Sequence, residues 1–475
     1  MNAPVFRSKV RQWRIRTIVA LILIMMAWVA QAAQPITFYR ETLDNGLKVV
    51  IVPNHRAPVV SHNLLVAAGA ADDPRGASGL AHYLEHMMFK GTPRFPEGSY
   101  DKIIQGLGGV HNAYTSSDMT GYYVTIASEH LEQVMRLEAD RMQNIQPSPD
   151  AFLKEREVIL EERRLRTESS PTALLVEKMR RVLHPHHPYG MPIIGWMHEM
   201  QQLSPEDMRG FWRRYYTPSN MTLLLVGDVQ PAQAMRLVRR YYGGWRGEKT
   251  PPRVWTQDPP ARSSERVMLP DARVRLPVWM RFYRAPTLGS SLAQPVAKTA
   301  KKPPASSYMA LLYVEELLGD GETGWLYESL VRRKKLASSV SISYYPFSRG
   351  EGSLAVVIHP VEGVHRDEIE KAYEEAVMEA QKRDISEEDM QRVRAQMQAA
   401  AIFARDDLQG MASLLATLMM IGADPAWINS WEAELKRVKA EDVRHWMRFV
   451  MNNDHHVTGY AVPKENPSPS KGETL

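Results

Sequence analysis

His82-Tyr83-Leu84-Glu85-His86 puts two imidazoles and a carboxylate within five consecutive positions. On a helix, residues four apart lie one turn above each other, about 5–6 Å between β-carbons, so His82 and His86 can hold one metal ion from the same face. Glu85 is adjacent to both and can reach a water beside that ion. The chemistry open to such a set is metal-assisted hydrolysis, and the order is the inverse of the commoner His-Glu-x-x-His arrangement. Two histidines and a base leave a zinc site one protein ligand short, so a third must come from elsewhere in the chain.

The flanks specify a helix. Leu80, Leu84, Met87 and Met88 form an apolar stripe at helical spacing, and Gly91 with Pro93 is expected to stop it. Downstream, Glu155-Arg156-Glu157-Val158-Ile159-Leu160-Glu161-Glu162 reads as an acidic helix, with Glu155 and Glu162 seven residues, or two turns, apart on one face. By itself such a helix is usually a solvated face. Gly108-Gly109-Val110-His111-Asn112-Ala113-Tyr114-Thr115 reads as a turn entering a strand, followed by the aromatic strand Tyr122-Tyr123-Val124-Thr125-Ile126. His184, His186 and His187 sit in a Pro-interrupted loop without a spaced carboxylate, which favours a structural role over a second metal site.

Residues 79–92 closely resemble the motif helix of the pitrilysin (insulinase-type) zinc metallopeptidases, and the resemblance continues through most of the chain, as to a half-length, bacterial processing-peptidase-like member. In that family the third zinc ligand is a glutamate about 76 residues beyond the second histidine, and Glu162 stands 76 residues after His86. The resemblance implies one zinc ion per chain held by His82, His86 and Glu162, with Glu85 as general base and Glu155 steadying the ligands. It also implies that Asn112 and Ala113 contact substrate on an edge strand, where an extended peptide is held by strand addition. His187-Pro188-Tyr189-Gly190 with Ile194-Gly195, and residues 215–228, resemble later framework segments.

The implied fold class is α+β: two homologous α/β-sandwich-like domains, each a mixed sheet covered by helices, forming half of a clamshell chamber. Only the first carries the His-x-x-Glu-His motif. The implied activity is a zinc metalloendopeptidase acting on short or unfolded polypeptides; the alternatives are a specific processing peptidase for one partner peptide and a non-catalytic subunit of the same fold. Family members that complete their own substrate site carry an arginine and a tyrosine in a run like Leu-Arg-x-x-x-Gly-Leu-x-Tyr. Here the matching run is Leu330-Val331-Arg332-Arg333-Lys334-Lys335-Leu336-Ala337-Ser338, which places Val331 and Ser338 at those two positions. The expected partner is a related chain without zinc ligands in a heterodimer, or a second copy in a homodimer. A one-residue slip would let Arg332 serve instead.

The chain of 475 residues is long enough for more than one domain. Residues 1–32 read as a signal: Arg7, Lys9, Arg11, Arg14 and Arg16, then an apolar run over 18–29 too short for a comfortable membrane span, then Ala30-Gln31-Ala32 as the cleavage site. Export to the periplasm is the expectation, an uncleaved anchor the alternative. Those five basic residues account for the whole net charge of +5, so nothing in residues 33–475 argues for nucleic acid or an anionic membrane surface as partner. The absence of cysteine excludes disulfides and thiolate metal sites. The expected order is a catalytic domain over 33–245, a Pro/Gly/charge-rich linker over 246–264, a second domain over 265–463 and a disordered tail over 464–475. In the second half, strands are expected at 278–283, 339–345 and 352–358, a polar insertion at 295–304, and helices from 308, over 366–381 and over 386–404.

Overall fold

The sequence alternates short β-branched or apolar runs with amphipathic stretches, and in the computed structural model these become two mixed sheets wrapped by helices. The structure describes residues 35–250, 252–259, 263–292, 306–319, 321–452 and 456–464. The expected N-terminal signal, the expected insertion at 295–304 and the expected tail from 465 onward lie outside the described residues.

The first sheet contains β1 (Tyr39–Thr42), β2 (Lys48–Pro53), β3 (Val59–Val66), β4 (Val110–Thr115), β5 (Thr120–Ala127) and β6 (Met221–Gly227), in the order β1-β2-β6-β3-β5-β4. The second contains β7 (Glu265–Asp271), β8 (Val278–Ala285), β9 (Ala337–Tyr344), β10 (Gly352–Pro360) and β11 (His456–Pro463), in the order β7-β11-β8-β10-β9. From β2 onward the first order repeats the second strand for strand. In each, the first strand pairs parallel with the last, β2 with β6 and β7 with β11, and the remaining pairings are antiparallel. Met221-Thr-Leu-Leu-Leu-Val-Gly227 is buried throughout, the mark of a central strand covered on both faces, whereas β4 at the sheet edge is largely accessible.

The helices of eight residues or more are α1 (Leu80–Met87), α2 (Ser99–Gly106), α3 (Leu131–Asn144), α4 (Pro149–Arg163), α5 (Pro171–Leu183), α6 (Pro205–Tyr215) and α7 (Pro231–Tyr242) in the first half. In the second they are α8 (Ser306–Gly319), α9 (Arg366–Lys382), α10 (Glu387–Asp406), α11 (Leu408–Met420), α12 (Trp427–Arg437) and α13 (Ala440–Met451). The expected stripe of Leu80, Leu84, Met87 and Met88 is fully buried. The helix ends sooner than Gly91 and Pro93 suggested: Phe89 and Lys90 donate their N–H groups only three residues back, to His86 O and Met87 O, and Gly91 bridges to Pro96.

Two helices cover the other half's sheet. Met411, Ala412, Leu415, Ala416 and Met420 of α11 pack on Val50, Val52, Leu65, Leu224 and Val226 of the first sheet. Reciprocally, Leu175, Met179 and Leu183 of α5 pack on Val278, Met280, Phe282, Val457 and Ala461 of the second. The linker is also tied down: Arg253 bonds Asp72, and Asp258 accepts from the backbone of His186 and His187 and pairs with Arg284 on β8.

Candidate metal centre and cleft

Helix α1 is set by backbone contacts at its start. Gly79 enters with φ +85°, and a β-carbon there would meet Ile194 O at 2.6 Å, so the turn needs glycine twice over. The Asp73 carboxylate accepts from the N–H groups of Gly79 and Ala81, both at 2.8 Å, satisfying donors that the helix leaves unpaired. Helix α4 begins with Ser148 accepting from Ala151 N and Pro149 in its first turn. The Tyr83 ring stacks on Phe152 at 4.6 Å and its hydroxyl donates to Phe152 O, which fixes α1 against α4. Immediately after Glu162 the helix widens into a π-helical turn, Arg164–Glu168. Such turns often mark functional sites because they re-aim side chains.

These elements bring His82, His86 and Glu162 together. Glu162 Oε2 lies 3.7 Å from His82 Nε2 and 3.5 Å from His86 Nε2. With zinc–ligand bonds of about 2.0–2.2 Å, the edges of a tetrahedral site are roughly 3.3–3.6 Å, so both separations from Glu162 are close to those between zinc ligands. Glu162 Oε2 is buried and has no hydrogen-bond partner, although its other oxygen takes a 2.8 Å bond from Arg166. A buried carboxylate oxygen without a donor is costly, and a cation between it and the two imidazoles would satisfy it. This is the one cluster of three such groups with metal-binding geometry among the described residues. The residues present therefore fit zinc.

The protonation pattern agrees. Burial, then the neighbouring His86, holds His82 down to about 4, so its ring is neutral and able to donate a lone pair. Burial also works against a charged His86, but the hydrogen bond to Glu155 and the nearby Glu162 carboxylate outweigh it and raise the group to about 9, marking a point where the protein favours positive charge. Glu155 Oε1 lies 2.9 Å from His86 Nδ1, and Lys90 Nζ holds the other oxygen at 2.6 Å. Burial pushes the Glu155 carboxyl up, yet the bonds from His86 and Lys90 leave it below its usual range. A charged Glu155 fixes the proton on Nδ1 and leaves Nε2 facing Glu162.

Glu85 is buried beside the triad, and Thr115 Oγ1 donates to its Oε2 at 2.6 Å. Burial raises its pKa against that bond. Sequence reading quoted Thr115 but gave it no role, and it passed over Lys90 and Arg166; only the fold brings β4 to α1.

Asn112, Ala113 and Thr115 line one wall of a cleft of about 740 Å³ whose floor is the triad. The opposite wall is α5 and residues 190–194. The Ala113 N–H donates to the Asn112 side-chain oxygen at 2.9 Å, so it points away from β5 toward the open side of the sheet. The edge strand thus presents a main-chain donor to the cleft.

The His184, His186 and His187 loop gains a carboxylate that sequence reading did not supply. Asp258 from the linker lies 3.4 Å from His184 Nδ1 and takes the two backbone N–H groups, making the cluster a structural joint. In the second half, Val331 packs against the core, Arg332 is engaged with Glu322 at 2.6 Å, and the Ser338 hydroxyl bonds His359 O. Lys335 has φ +53°, the one left-handed non-glycine among the described residues, and it stands where the resembling run has glycine.

Residues 48–195 match the insulinase family (peptidase family M16), and residues 202–397 match the peptidase M16 inactive domain. The zinc protease PqqE of Helicobacter pylori is 27% identical over 405 residues, 85% of this chain and 87% of that one. The crystal structure of a protease from Helicobacter pylori superposes with a TM-score of 0.82 at 26% identity, covering 90% of this chain and 100% of that one. The periplasmic protease PqqL from Escherichia coli shares the fold at a TM-score of 0.71 and 20% identity, over 91% of this chain but 48% of its own, so this chain spans about half of it. With the insulinase family matched over 48–195, the M16 inactive domain over 202–397 and the fold shared along nearly the whole of a protease structure, the chain belongs to the M16 (insulinase) peptidase family.

Proposed function

We propose that the chain is an exported zinc metalloendopeptidase that hydrolyses short or unfolded polypeptides, as the catalytic subunit of a heterodimer. The convergence of His82, His86 and the unpartnered Glu162 oxygen, with Glu85 alongside, carries this reading. His82, His86 and Glu162 hold the zinc, which supplies Lewis acidity and brings the pKa of a bound water to about 7. Glu85 takes a proton from the attacking water and returns it to the leaving amine, and Thr115 keeps its carboxylate aimed. Glu155 orients His86. The substrate main chain adds to β4, with the Ala113 N–H released from Asn112 to pair with it.

A partner is proposed because the second half offers no free cation or phenol at the expected places. The left-handed Lys335 supports the unslipped register, since it occupies the glycine position of the run and thereby leaves Val331 and Ser338 at the arginine and tyrosine positions. Export rests on the first 32 residues; among the described residues no helix is long and apolar enough to cross a membrane.

Glu85→Gln should retain stoichiometric zinc and lose roughly 10²–10⁴-fold in rate, while Glu162→Gln should lose zinc as well. An active Glu85→Gln protein would refute the mechanism. Peptide hydrolysis should be slow for the chain alone and rise when a co-purifying relative is added; full turnover by the single chain would refute the heterodimer. Amino-terminal sequencing of the native protein should begin near Ala33, and Met1 on a membrane-bound form would refute soluble export.

A further inference from the structure

The cleft contains one cation that nothing in the fold uses. Helix α5 presents Ala173, Val176, Glu177 and Arg180 to it, while Leu175, Met179 and Leu183 on the other side are locked into the second sheet. The remaining charges of the wall are matched. Arg166 bonds Glu162 at 2.8 Å, and Glu177, although one turn from Arg180, is taken by Arg163 through two bonds of 2.9 Å. Arg180 has no hydrogen bond or ion pair to any described residue. It is open to solvent, yet the cleft walls partly desolvate it, and its pKa is lowered by that burial with no carboxylate to offset it. An arginine left unpaired on a rigid helix, facing the space a bound peptide must occupy, is arranged for a charge that arrives with the ligand.

Building on the peptidase reading, we infer that Arg180 is a specificity residue that selects peptides carrying a carboxylate away from the bond to be cut. The group is either an acidic side chain or the free C-terminus of a short peptide. A guanidinium in this setting binds a carboxylate through two parallel N–H donors, and partial desolvation makes the pair stronger than one on an open surface. Because α5 is held by its buried face and Arg180 lines the same cleft as His82, His86 and Glu162, the preference falls at a defined position along the peptide.

The test is peptide binding to the full-length, zinc-loaded Glu85→Gln protein, read by fluorescence anisotropy, which does not depend on turnover. One arm scans a single Glu against Gln along a C-terminally amidated peptide; the other compares the free acid and the amide of a peptide without acidic side chains. At one position, or in the second arm, the carboxylate form should bind about 3–10-fold tighter, with the advantage shrinking as salt is raised. Adding Arg180→Gln should bring the ratio to about one, Arg180→Lys should keep part of it, and Arg180→Glu should favour Lys-containing peptides. A ratio of one in the parent, or an unchanged ratio in Arg180→Gln, overturns the assignment. If the active chain nevertheless cleaves neutral and acidic peptides equally, the peptidase reading stands without it; if no peptide is bound or cleaved even with the co-purifying relative added, both fall.

Discussion

Among the described residues the Glu85 carboxylate has a single side-chain donor, the Thr115 hydroxyl at 2.6 Å, reaching it from the edge strand to which we propose that substrate adds. On the proposed mechanism chemistry and binding are joined through one strand: a peptide that displaces Asn112 from the Ala113 N–H would pair two residues from the hydroxyl that holds Glu85. Replacing Thr115 by Val removes the donor at nearly constant volume. We expect kcat to fall about tenfold, the loss of one charge-assisted hydrogen bond, with KM and zinc content little changed and Thr115→Ser restoring most of the rate. Loss of zinc in Thr115→Val would instead mean that the residue maintains the triad itself. The motif pair His82 and His86 was legible because a helix turns i and i+4 into neighbours, and Glu162 because family spacing is sequence information. Thr115 was not, since its contact depends on how far β4 lies from α1 in the folded sheet.

Among elements, the turn from the widened helical turn Glu328–Arg333 into β9 is closed by Lys335 in the left-handed region. A side chain there is strained by about 1–2 kcal/mol, partly offset by the greater chain entropy glycine loses on folding. Lys335→Gly should therefore raise stability by about 0.5–1 kcal/mol in urea titration, and Lys335→Val should lower it. Strand β3 carries a second consequence. His62 is fully buried, bonded to Tyr242 and close to the buried Glu138–Arg141 pair. Burial is the main cause that holds it down to about 4, so the folded state binds fewer protons than the unfolded chain. Its stabilising contribution is present above the unfolded value near 6.5 and is lost as pH falls toward 4, at up to about 1.4 kcal/mol per pH unit. Urea midpoints measured from pH 7 to pH 5 should drop, and His62→Gln should flatten the slope; an unaltered slope would assign the effect to other groups, such as His187. The strands expected at 278–283, 339–345 and 352–358 and the helices from 308, over 366–381 and over 386–404 were readable to within a few residues, whereas β7, β11, α12 and α13 were not read. Helix α11 was not read, since Leu408 to Met420 is apolar nearly all round and periodicity cannot say which sheet such a helix serves.

At the scale of the whole molecule, the sheets separate at the linker but their coverings do not. Severing the chain there would leave the first sheet without Met411, Leu415 and Ala416 over Val50, Leu65 and Leu224, and the second without Leu175 and Met179 over Met280 and Phe282. Each fragment would thus present to water a continuous apolar face, the kind of surface that drives association rather than solubility. From this exchange we expect the two sheets to fold as one unit. Residues 33–250 and 263–464 expressed apart should aggregate or bind a hydrophobic dye, while the two made together should copurify as a noncovalent pair that melts in one transition. Fragments that are each soluble, monomeric and cooperatively folded would mean that the exchanged helices decorate sheets already complete without them. On the proposed function, the exchange also ties the cleft to the second half of the chain: α5 is wall to one and lid to the other, so a mutation in the second sheet that loosens α5 should be felt first as a change in which peptides are accepted, before any loss of zinc.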